Sequence, residues 1–353
     1  MLTELFARDF RCFAECRLQP HPELTLLVGR NAQGKTSLLE AACVLLRLQS
    51  PRTTTRTELI RLGTANCLIE GRFSEQGLRF AQSERVRRVA VDGAPCPRTA
   101  DYLARSGRVV WMDHRDMGLL RGGAEQRRRY LDFAASQIFA DYLPALRGYE
   151  RALRGRNHVL KRDATISWRQ ADAFAGVMDG FARVLRARRA ELTGALAPET
   201  ARAHAHLSAE AEAAEIAHLS GQEQNDLAAQ LAGLRAEEQR QRVTLAGPHR
   251  DDLALRLNGL DATAFASEGQ QRSLAVALKV AQARVLEAAC GIPPLLLIDD
   301  VFGELDAHRR RALLELLPAG TQKILTTTSL EWASADGVNG DVWRVEGAQV
   351  YRD

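Results

Sequence analysis

The chain has 353 residues, of which 46% are hydrophobic and 26% are charged, and its formal net charge is +4. This composition is ordinary for a globular protein, and the mild basicity permits nucleic-acid binding without requiring it. No apolar run is long enough to cross a bilayer, the N-terminal MLTELFARDFRCF lacks a signal-peptide segment, and the six scattered cysteines form no C-x-x-C pair. We therefore expect a cytoplasmic protein with reduced thiols and no membrane association.

The first predicted elements are a strand, a glycine-rich loop and a helix, within residues 23–40 (ELTLLVGRNAQGKTSLLE). The loop fits G-x-x-x-x-G-K-[ST], the pattern of a phosphate-binding loop between a strand and a helix. Its glycines let the backbone approach phosphate oxygens, its lysine reaches the β- and γ-phosphates, and its threonine ligates Mg²⁺. We predict an ATP and Mg²⁺ site, with an ordinary glycine turn as the alternative. The predicted nucleotide-binding residues are Gly29, Arg30, Asn31, Ala32, Gln33, Gly34, Lys35, Thr36 and Ser37, and Thr36 is also the predicted metal ligand.

Strands and helices alternate on both sides of a central region that is poor in glycine. Ala, Glu, Arg and Leu dominate this region, and segments 185–197 and 205–219 are predicted to form helices. The sequence thus predicts an ATPase lobe at 1–122, a helical lobe at 123–242, and a return to the ATPase core at 243–353. The predicted strands are 68–73, 79–85, 109–112, 253–257, 295–298 and 323–327.

A basic run, LRGYERALRGRNHVLKR, lies inside the helical region and also contains Arg156. Arg147, Arg151 and Arg154 are spaced i, i+4 and i+7, so a helix places them on one face. Such a face can bind the DNA backbone without reading bases. A solvated helix face is the alternative. Further candidates of the same kind are Arg85, Arg87 and Arg88, and Arg186, Arg188 and Arg189.

The segment GPHRDDL, residues 247–253, begins with the turn-forming pair Gly247-Pro248. His249, Arg250, Asp251 and Asp252 follow. We interpret them as a polar network with a structural or coupling role.

The stretch FASEGQQRSLAVALKVAQARVL, residues 265–286, begins with a polar cluster and continues as a helix. Ser267 suits a helix N-cap because its hydroxyl can accept a hydrogen bond from a first-turn N–H. A plain cap does not call for the following Gly269, Gln270 and Gln271. A helix N-terminus of this kind also suits a phosphate.

An acidic strand end follows in PPLLLIDDVFGELD, residues 293–306. The apolar run 295–298 is typical of a strand buried on both faces of a parallel sheet. Beside a phosphate-binding loop, Asp299 is the predicted Mg²⁺ ligand and Asp300 the predicted catalytic residue, which polarises the attacking water. The alternative is that these carboxylates only cap the next segment.

A phosphate-binding loop, a Ser-x-Gly-Gln helix start and an acidic strand end occur in this order in ABC-type ATPases. The resemblance implies an α/β P-loop head with a parallel core sheet, an antiparallel flanking sheet and an inserted helical lobe. It also implies that the helix start is the class's signature, which contacts the γ-phosphate held by another subunit. The signature residues are then Ser267, Glu268, Gly269 and Gln270.

Several further motifs resemble the RecF family of bacterial recombinational repair, relatives of the SMC class. They are FRCF at 10–13, VGRNAQGKTSLLEA at 28–41, RRRYLD at 127–132, GPHRDDL at 247–253, EGQQR at 268–272 and LIDDVFGELD at 297–306. The family implies an ATP-dependent homodimer that binds duplex DNA or single-strand/double-strand junctions without sequence preference. It also implies help in recombinase loading with RecR-type and RecO-type mediators, and roles in DNA damage repair, the SOS response and DNA replication. By the same resemblance, Asp306 belongs to the D-loop and Arg11 contacts the nucleotide.

The chain departs from the family pattern at several positions. Glu268 stands where glutamine is usual, and Gly303 stands where serine is usual. The segment MDHRD at 112–116 offers no Q-loop glutamine. Asp300 is one methylene shorter than the glutamate common in ABC ATPases, which favours slow hydrolysis because catalysis depends on close placement.

Two other classes share the phosphate-binding loop. The nucleotide-binding subunit of an ABC transporter carries a histidine at the end of the strand after the acidic one, whereas here that strand ends in Thr326-Thr327-Thr328-Ser329. A P-loop kinase would not need the signature helix. Both remain alternatives to the repair ATPase.

Overall fold

The computed structural model describes residues 1–162, 164–208, 212–221 and 226–353. The strands are β1 Leu2–Phe10, β2 Phe13–Leu18, β3 Leu24–Val28, β4 Asn66–Phe73, β5 Gln76–Ser83, β6 Arg87–Val91, β7 Ala94–Pro95, β8 Val109–Asp113, β9 Ala214–Leu219, β10 Asp252–Leu257, β11 Leu260–Asp261, β12 Leu295–Asp299, β13 Lys323–Thr327, β14 Asp341–Glu346 and β15 Gln349–Arg352. The helices are α1 Lys35–Arg47, α2 Thr99–Arg105, α3 Gly118–Arg121, α4 Ala124–Ile138, α5 Tyr142–Arg162, α6 Trp168–Leu207, α7 Leu227–Gly233, α8 Arg235–Gln241, α9 Ala262–Phe265, α10 Glu268–Cys290, α11 Ala307–Leu316 and α12 Glu331–Ala335.

The chain forms two compact units. Unit 1 contains Met1–Asp116 together with Gln282–Asp353, and unit 2 is the inserted segment Met117–Ala281. Unit 2 therefore holds residues 243–281 in addition to the predicted helical lobe. The predicted division at 122 and 242 follows chain order and stays a prediction.

The core sheet of unit 1 has the strand order β15-β14-β3-β13-β12-β8. Neighbours from β14 to β8 are parallel, and β15 is antiparallel to β14. β12 is buried along its whole length, as its continuous apolar sequence predicts. Parallel strands end at the same edge of the sheet, so β3 and β12 deliver the residues that follow them to one place.

The second sheet of unit 1 is antiparallel, in the order β2-β1-β4-β5-β6-β7. Buried residues alternate with exposed or partly exposed residues along β5, as expected when one face packs on a core. α1 is buried on nearly every side, which suits its run of Leu, Ala, Cys and Val. The predicted parallel core and antiparallel flank are confirmed. The strand predicted at 79–85 ends at Ser83.

Unit 2 combines long helices with a small antiparallel sheet of order β11-β10-β9. The predicted helix 185–197 lies within α6. The helix prediction for 205–219 is wrong over Ala214–Leu219, which pairs with β10 as a strand. Its buried Ala214 and Ile216 alternate with exposed neighbours, so pairing across the sheet overrides the helix propensity of Ala and Glu. Residues 209–211 lie outside the described residues.

A buried polar network holds the GPHRDDL segment within unit 2. The buried guanidinium of Arg189 donates to Asp132, at 2.8 Å, and to the carbonyl of Pro248, at 2.7 Å. Arg127 binds both carboxylate oxygens of Asp252, at 2.7 and 2.9 Å. Burial lowers the pKa of His249 to about 4, so its ring is neutral near pH 7. These contacts favour the structural interpretation of the segment.

The same network corrects one set of DNA-binding candidates. Arg189 is buried, so its prediction as a DNA contact is wrong. Arg186 is largely buried and lies 3.5 Å from Asp251. Arg188 is bound to Asp141 and Glu191, at 3.0 and 2.8 Å.

Across the described residues, no helix is long and apolar enough to span a membrane.

Candidate nucleotide site

The loop between β3 and α1 requires glycine at two positions. Gly34 has a φ of +110°, and a Cβ there would come within 2.7 Å of a ring carbon of Phe13 and 2.9 Å of the sulfur of Cys12. A Cβ on Gly29 would collide with the carbonyl oxygen of Val345. Both glycines therefore follow from close backbone approach, which gives a phosphate-binding loop its tight curvature.

The loop's functional side chains lie where α1 begins. The Lys35 ammonium donates to the carbonyls of Gly29 and Arg30, at 2.6 and 2.9 Å, which keeps it over the loop. Burial lowers the pKa of Lys35 from its ordinary value, while the charges of Asp300 and Asp299 act to raise it. The exposed part of the loop is Arg30, Asn31 and Ala32, and the buried part at the helix start is Lys35 and Ser37.

The acidic strand end lies directly beside the loop. The Thr36 hydroxyl is 2.9 and 2.8 Å from the two carboxylate oxygens of Asp299. Asp300 has a φ of +55°, so the chain turns sharply after the strand. Neighbouring residues of a regular strand point to opposite faces of the sheet. Because the chain turns at Asp300, the side chains of Asp299 and Asp300 can nevertheless serve one site.

Thr326 is a further residue of this site, which the sequence did not indicate. Its hydroxyl donates to Asp299 at 2.7 Å and accepts from the backbone N–H of Asp300 at 2.9 Å. The parallel register of β12 and β13 places Asp299 opposite Thr326. The signal available in the sequence was the threonine run at the end of the strand that follows the acidic one.

Two more contacts fix the surroundings of the loop. The Gln33 side chain accepts from the backbone N–H of Gly347 at 2.6 Å. Arg11 binds the buried carboxylate of Glu40 on α1, at 2.8 and 2.5 Å. Arg11 is thus held against α1, and its predicted contact with nucleotide stays a prediction.

An aspartate network lies at the end of β8, in the segment 112–116 where the sequence offers no Q-loop glutamine. Asp113 is opposite Asp299 in the parallel register of β8 and β12. Its carboxylate accepts from the indole of Trp111 at 2.9 Å and from the guanidinium of Arg115 at 2.8 Å. The Asp113 carboxylate is therefore held by residues two positions away on either side of it.

The predicted signature lies in unit 2, at the start of α10. Ser267 Oγ accepts from the N–H of Gln270 at 3.3 Å, and the Gln270 side chain accepts from the N–H of Ser267 at 2.7 Å. This reciprocal arrangement is a capping box, so Gln270 takes part in the cap, contrary to the expectation from the sequence. The Gln270 amide also donates to Glu212 at 2.7 Å. Ser267 and Glu268 are exposed at this helix start.

Asp306 caps α11. Its side chain accepts from the N–H of Arg309 at 2.8 Å and pairs with the guanidinium of that residue at 2.8 Å. The hydrogen bond from the Arg309 N–H is the main cause that lowers the pKa of Asp306. Asp306 therefore acts as a helix cap within this chain, and its predicted D-loop role stays a prediction.

A parallel core sheet, with a phosphate-binding loop and a hydroxyl–carboxylate pair beside it, is typical of the ABC-type P-loop ATPase head. A family model described as "AAA domain" matches residues 4–94. An SMC head described as bound to the C-winged helix domain of ScpA shares the fold, with a TM-score of 0.57 at 13% identity over all of this chain and 96% of that one.

Curated relatives identify the family within this class. "DNA replication and repair protein RecF" of Anaeromyxobacter sp. (strain Fw109-5) is 38% identical over 99% of this chain and 98% of its own length. The protein of the same name from Thermosynechococcus vestitus is 39% identical over 93% and 91%. A solved structure described as "recombination mediator protein RecF-ATPrS in RecFOR pathway" covers all of this chain and 98% of its own, with 27% identity and a TM-score of 0.89. The chain belongs to the RecF family.

Proposed function

We propose that this chain is an ATP-hydrolysing DNA repair protein that dimerises when it binds ATP. The observation that carries the proposal is the placement of Thr36 at 2.8–2.9 Å from Asp299, with Lys35 and Asp300 at the same edge of the core sheet. The proposal is also supported by relatives that are named for DNA replication and repair, and by a solved relative that is described with ATPrS.

The residues of the loop suit a nucleotide triphosphate with Mg²⁺. The backbone of residues 29–37 would surround the phosphates, and Lys35 would neutralise the β- and γ-phosphate charge. Thr36 and Asp299 are oxygen donors of the type that Mg²⁺ prefers. Bound there, Mg²⁺ would neutralise charge that develops between the β- and γ-phosphates.

Hydrolysis requires a base for the attacking water, and Asp300 is the residue we assign to it. Asp300 takes one proton from the water as its oxygen bonds to the γ-phosphorus. The bond from that phosphorus to the β–γ bridging oxygen breaks, which yields ADP and phosphate. The short aspartate side chain favours slow turnover, so that the ATP-bound state persists.

The signature completes the site in a second copy of the chain. In a head-to-tail dimer, Ser267, Gly269 and Gln270 of one copy would face the γ-phosphate held by Lys35 of the other. Two nucleotides are then buried, and hydrolysis separates the copies.

Adding ATP is therefore expected to convert the protein from monomer to dimer. Sedimentation velocity with ATP, with ADP and without nucleotide measures this change. Lys35→Ala is expected to remain monomeric, because the β- and γ-phosphates lose their cationic partner. A wild-type protein that stays monomeric at saturating ATP would contradict the proposed function.

The exposed face of α5 is the surface we assign to DNA. Arg147, Arg151 and Arg154 are exposed, and His158 and Lys161 continue the same stripe. Arg156, from the same basic run, is buried and does not belong to this face. A row of cations along one helix suits the phosphate backbone of duplex or junction DNA and gives no sequence preference.

Replacing Arg147, Arg151 and Arg154 together with Ala is expected to weaken binding to duplexes of unrelated sequence equally. The slope of log affinity against log salt should fall by about 2–3, since each lost phosphate contact removes roughly one unit. Fluorescence anisotropy over a salt series measures both effects. A matched triple variant of Arg129, Arg202 and Arg240, which are exposed arginines on helices other than α5, should bind as wild type. Equal loss in both triple variants would contradict the assignment.

We also propose that the chain works in the cytoplasm with RecR-type and RecO-type mediators. The description of a solved relative as part of the RecFOR pathway supports this choice of partners.

A further inference from the structure

Arg121, the last residue of α3, lies against the first turn of the signature helix α10. Its Nε donates to the side-chain oxygen of Gln271 at 2.9 Å. Gln271 is only 7% exposed, and its amide nitrogen donates to the carbonyl of Ala262 at 3.4 Å. A buried amide therefore holds this guanidinium beside the signature residues.

The charge next to Arg121 is the carboxylate of Glu268, where the family usually has an uncharged glutamine. Nη2 of Arg121 is 3.5 Å from a carboxylate oxygen of Glu268, and the same oxygen is 3.3 Å from Nη2 of Arg272. Arg121 and Glu268 are 49% and 62% exposed. Exposed ion pairs contribute little stability, so a strongly charged ligand can displace this one.

We propose that Arg121 binds the γ-phosphate of the nucleotide held by a partner copy, and that Glu268 competes with that phosphate for it. The proposal rests on the head-to-tail dimer proposed above. A guanidinium suits this task because its fork binds two phosphate oxygens at once. Gln271 engages only Nε, so the Nη nitrogens can exchange Glu268 for phosphate while the side chain stays oriented.

Glu268 then has a defined role at a site that binds an anion. It neutralises Arg121 and Arg272 in the monomer, and it must release Arg121 when the dimer closes. The carboxylate thereby raises the ATP concentration at which the dimer forms. A glutamine at this position would leave Arg121 ready for the phosphate.

Removing the guanidinium should raise the ATP concentration for half-maximal dimerisation about tenfold or more, since a charge-assisted phosphate contact is lost. Sedimentation velocity of Arg121→Ala measures the shift. Arg121→Lys should recover part of it, and Arg129→Ala, which removes an exposed arginine of α4, should match wild type. Wild-type dimerisation by Arg121→Ala would overturn the proposal.

Glu268→Gln should lower the half-maximal ATP concentration several-fold, because the competing carboxylate is gone. The same change should have no effect in an Arg121→Ala background. An equal gain in both backgrounds would overturn the proposed competition.

Mixing two inactive variants tests whether Arg121 acts on the other copy. In a mixed dimer, Lys35→Ala supplies an intact Arg121 to the intact loop of Arg121→Ala, which rebuilds one complete site. An equimolar mixture should recover roughly a quarter of the wild-type sites by random pairing in a two-fold dimer, seen both as ATP-dependent dimer and as hydrolysis. Each variant alone should show neither at the same ATP concentration.

A second mixture, of Lys35→Ala with Ser267→Arg, distinguishes failure of the proposed role of Arg121 from failure of the proposed head-to-tail dimer. Recovery in this mixture, but none with Arg121→Ala, would overturn the role of Arg121 and leave the head-to-tail dimer standing. Recovery in neither mixture would overturn the head-to-tail dimer and the role of Arg121 with it.

Discussion

Asp300→Asn is expected to lower single-turnover ATP hydrolysis by about 10²- to 10⁴-fold, the usual contribution of a general base. A carboxamide has the shape of the carboxylate but cannot take the proton from water. The substitution keeps the backbone N–H of Asp300, so its hydrogen bond to the Thr326 hydroxyl and the turn at this residue should persist. ATP-dependent dimerisation should therefore be retained, and the dimer should live longer.

Single-turnover assays on protein shown by sedimentation to be dimeric separate this effect from a loss of ATP binding. Asp353→Asn, the same change at an exposed C-terminal carboxylate paired with Arg344, is the matched control. Asp300→Glu adds one methylene and should speed hydrolysis if the short side chain limits the rate. Normal hydrolysis by Asp300→Asn would exclude Asp300 as the base.

The parts of the site that the sequence predicted are those that lie close together along the chain. The phosphate-binding loop, with Lys35 and Thr36, is formed by consecutive residues between one strand and one helix. The pair Asp299-Asp300 ends a strand whose apolar run is unmistakable. Such motifs can be predicted from the sequence because the role of each residue depends on its immediate neighbours along the chain.

The contacts that the sequence could not predict depend on strand register or on distant segments. Thr326 reaches Asp299 only because β13 lies beside β12 in a particular register. Arg121 meets Glu268 although most of unit 2 separates them along the chain. β9 could not be predicted for the same reason. Its Ala- and Glu-rich sequence favours a helix, but pairing with β10, which is distant in sequence, makes it a strand.

Arg156→Ala is expected to destabilise the protein by about 3–5 kcal/mol, the usual cost of removing one partner from a buried ion pair. The sequence places Arg156 in the basic run, yet its side chain and that of Glu238 are both fully buried. The guanidinium binds the two carboxylate oxygens of Glu238, at 2.8 and 2.6 Å, and the hydroxyl of Thr244, at 2.9 Å. Denaturant unfolding of the full chain, followed by circular dichroism, measures the loss.

The cause of this loss can be separated from the net value of the ion pair. Alanine leaves the Glu238 carboxylate buried without its cation, whereas Arg156→Met combined with Glu238→Leu removes both charges and keeps the volume. The double variant should therefore recover most of the stability, because an apolar replacement of a buried pair is often neutral or better.

Arg154→Ala, on the exposed face two residues earlier, is the control and should change the free energy of unfolding by less than about 0.5 kcal/mol. If Arg156→Ala unfolded at the same denaturant concentration as Arg154→Ala, the pair would not stabilise unit 2. If the double variant were as unstable as Arg156→Ala, the stability would depend on packing, on the Thr244 contact and on the hydrogen bond that Glu238 accepts from the Leu245 N–H at 3.0 Å, instead of on the stranded charge.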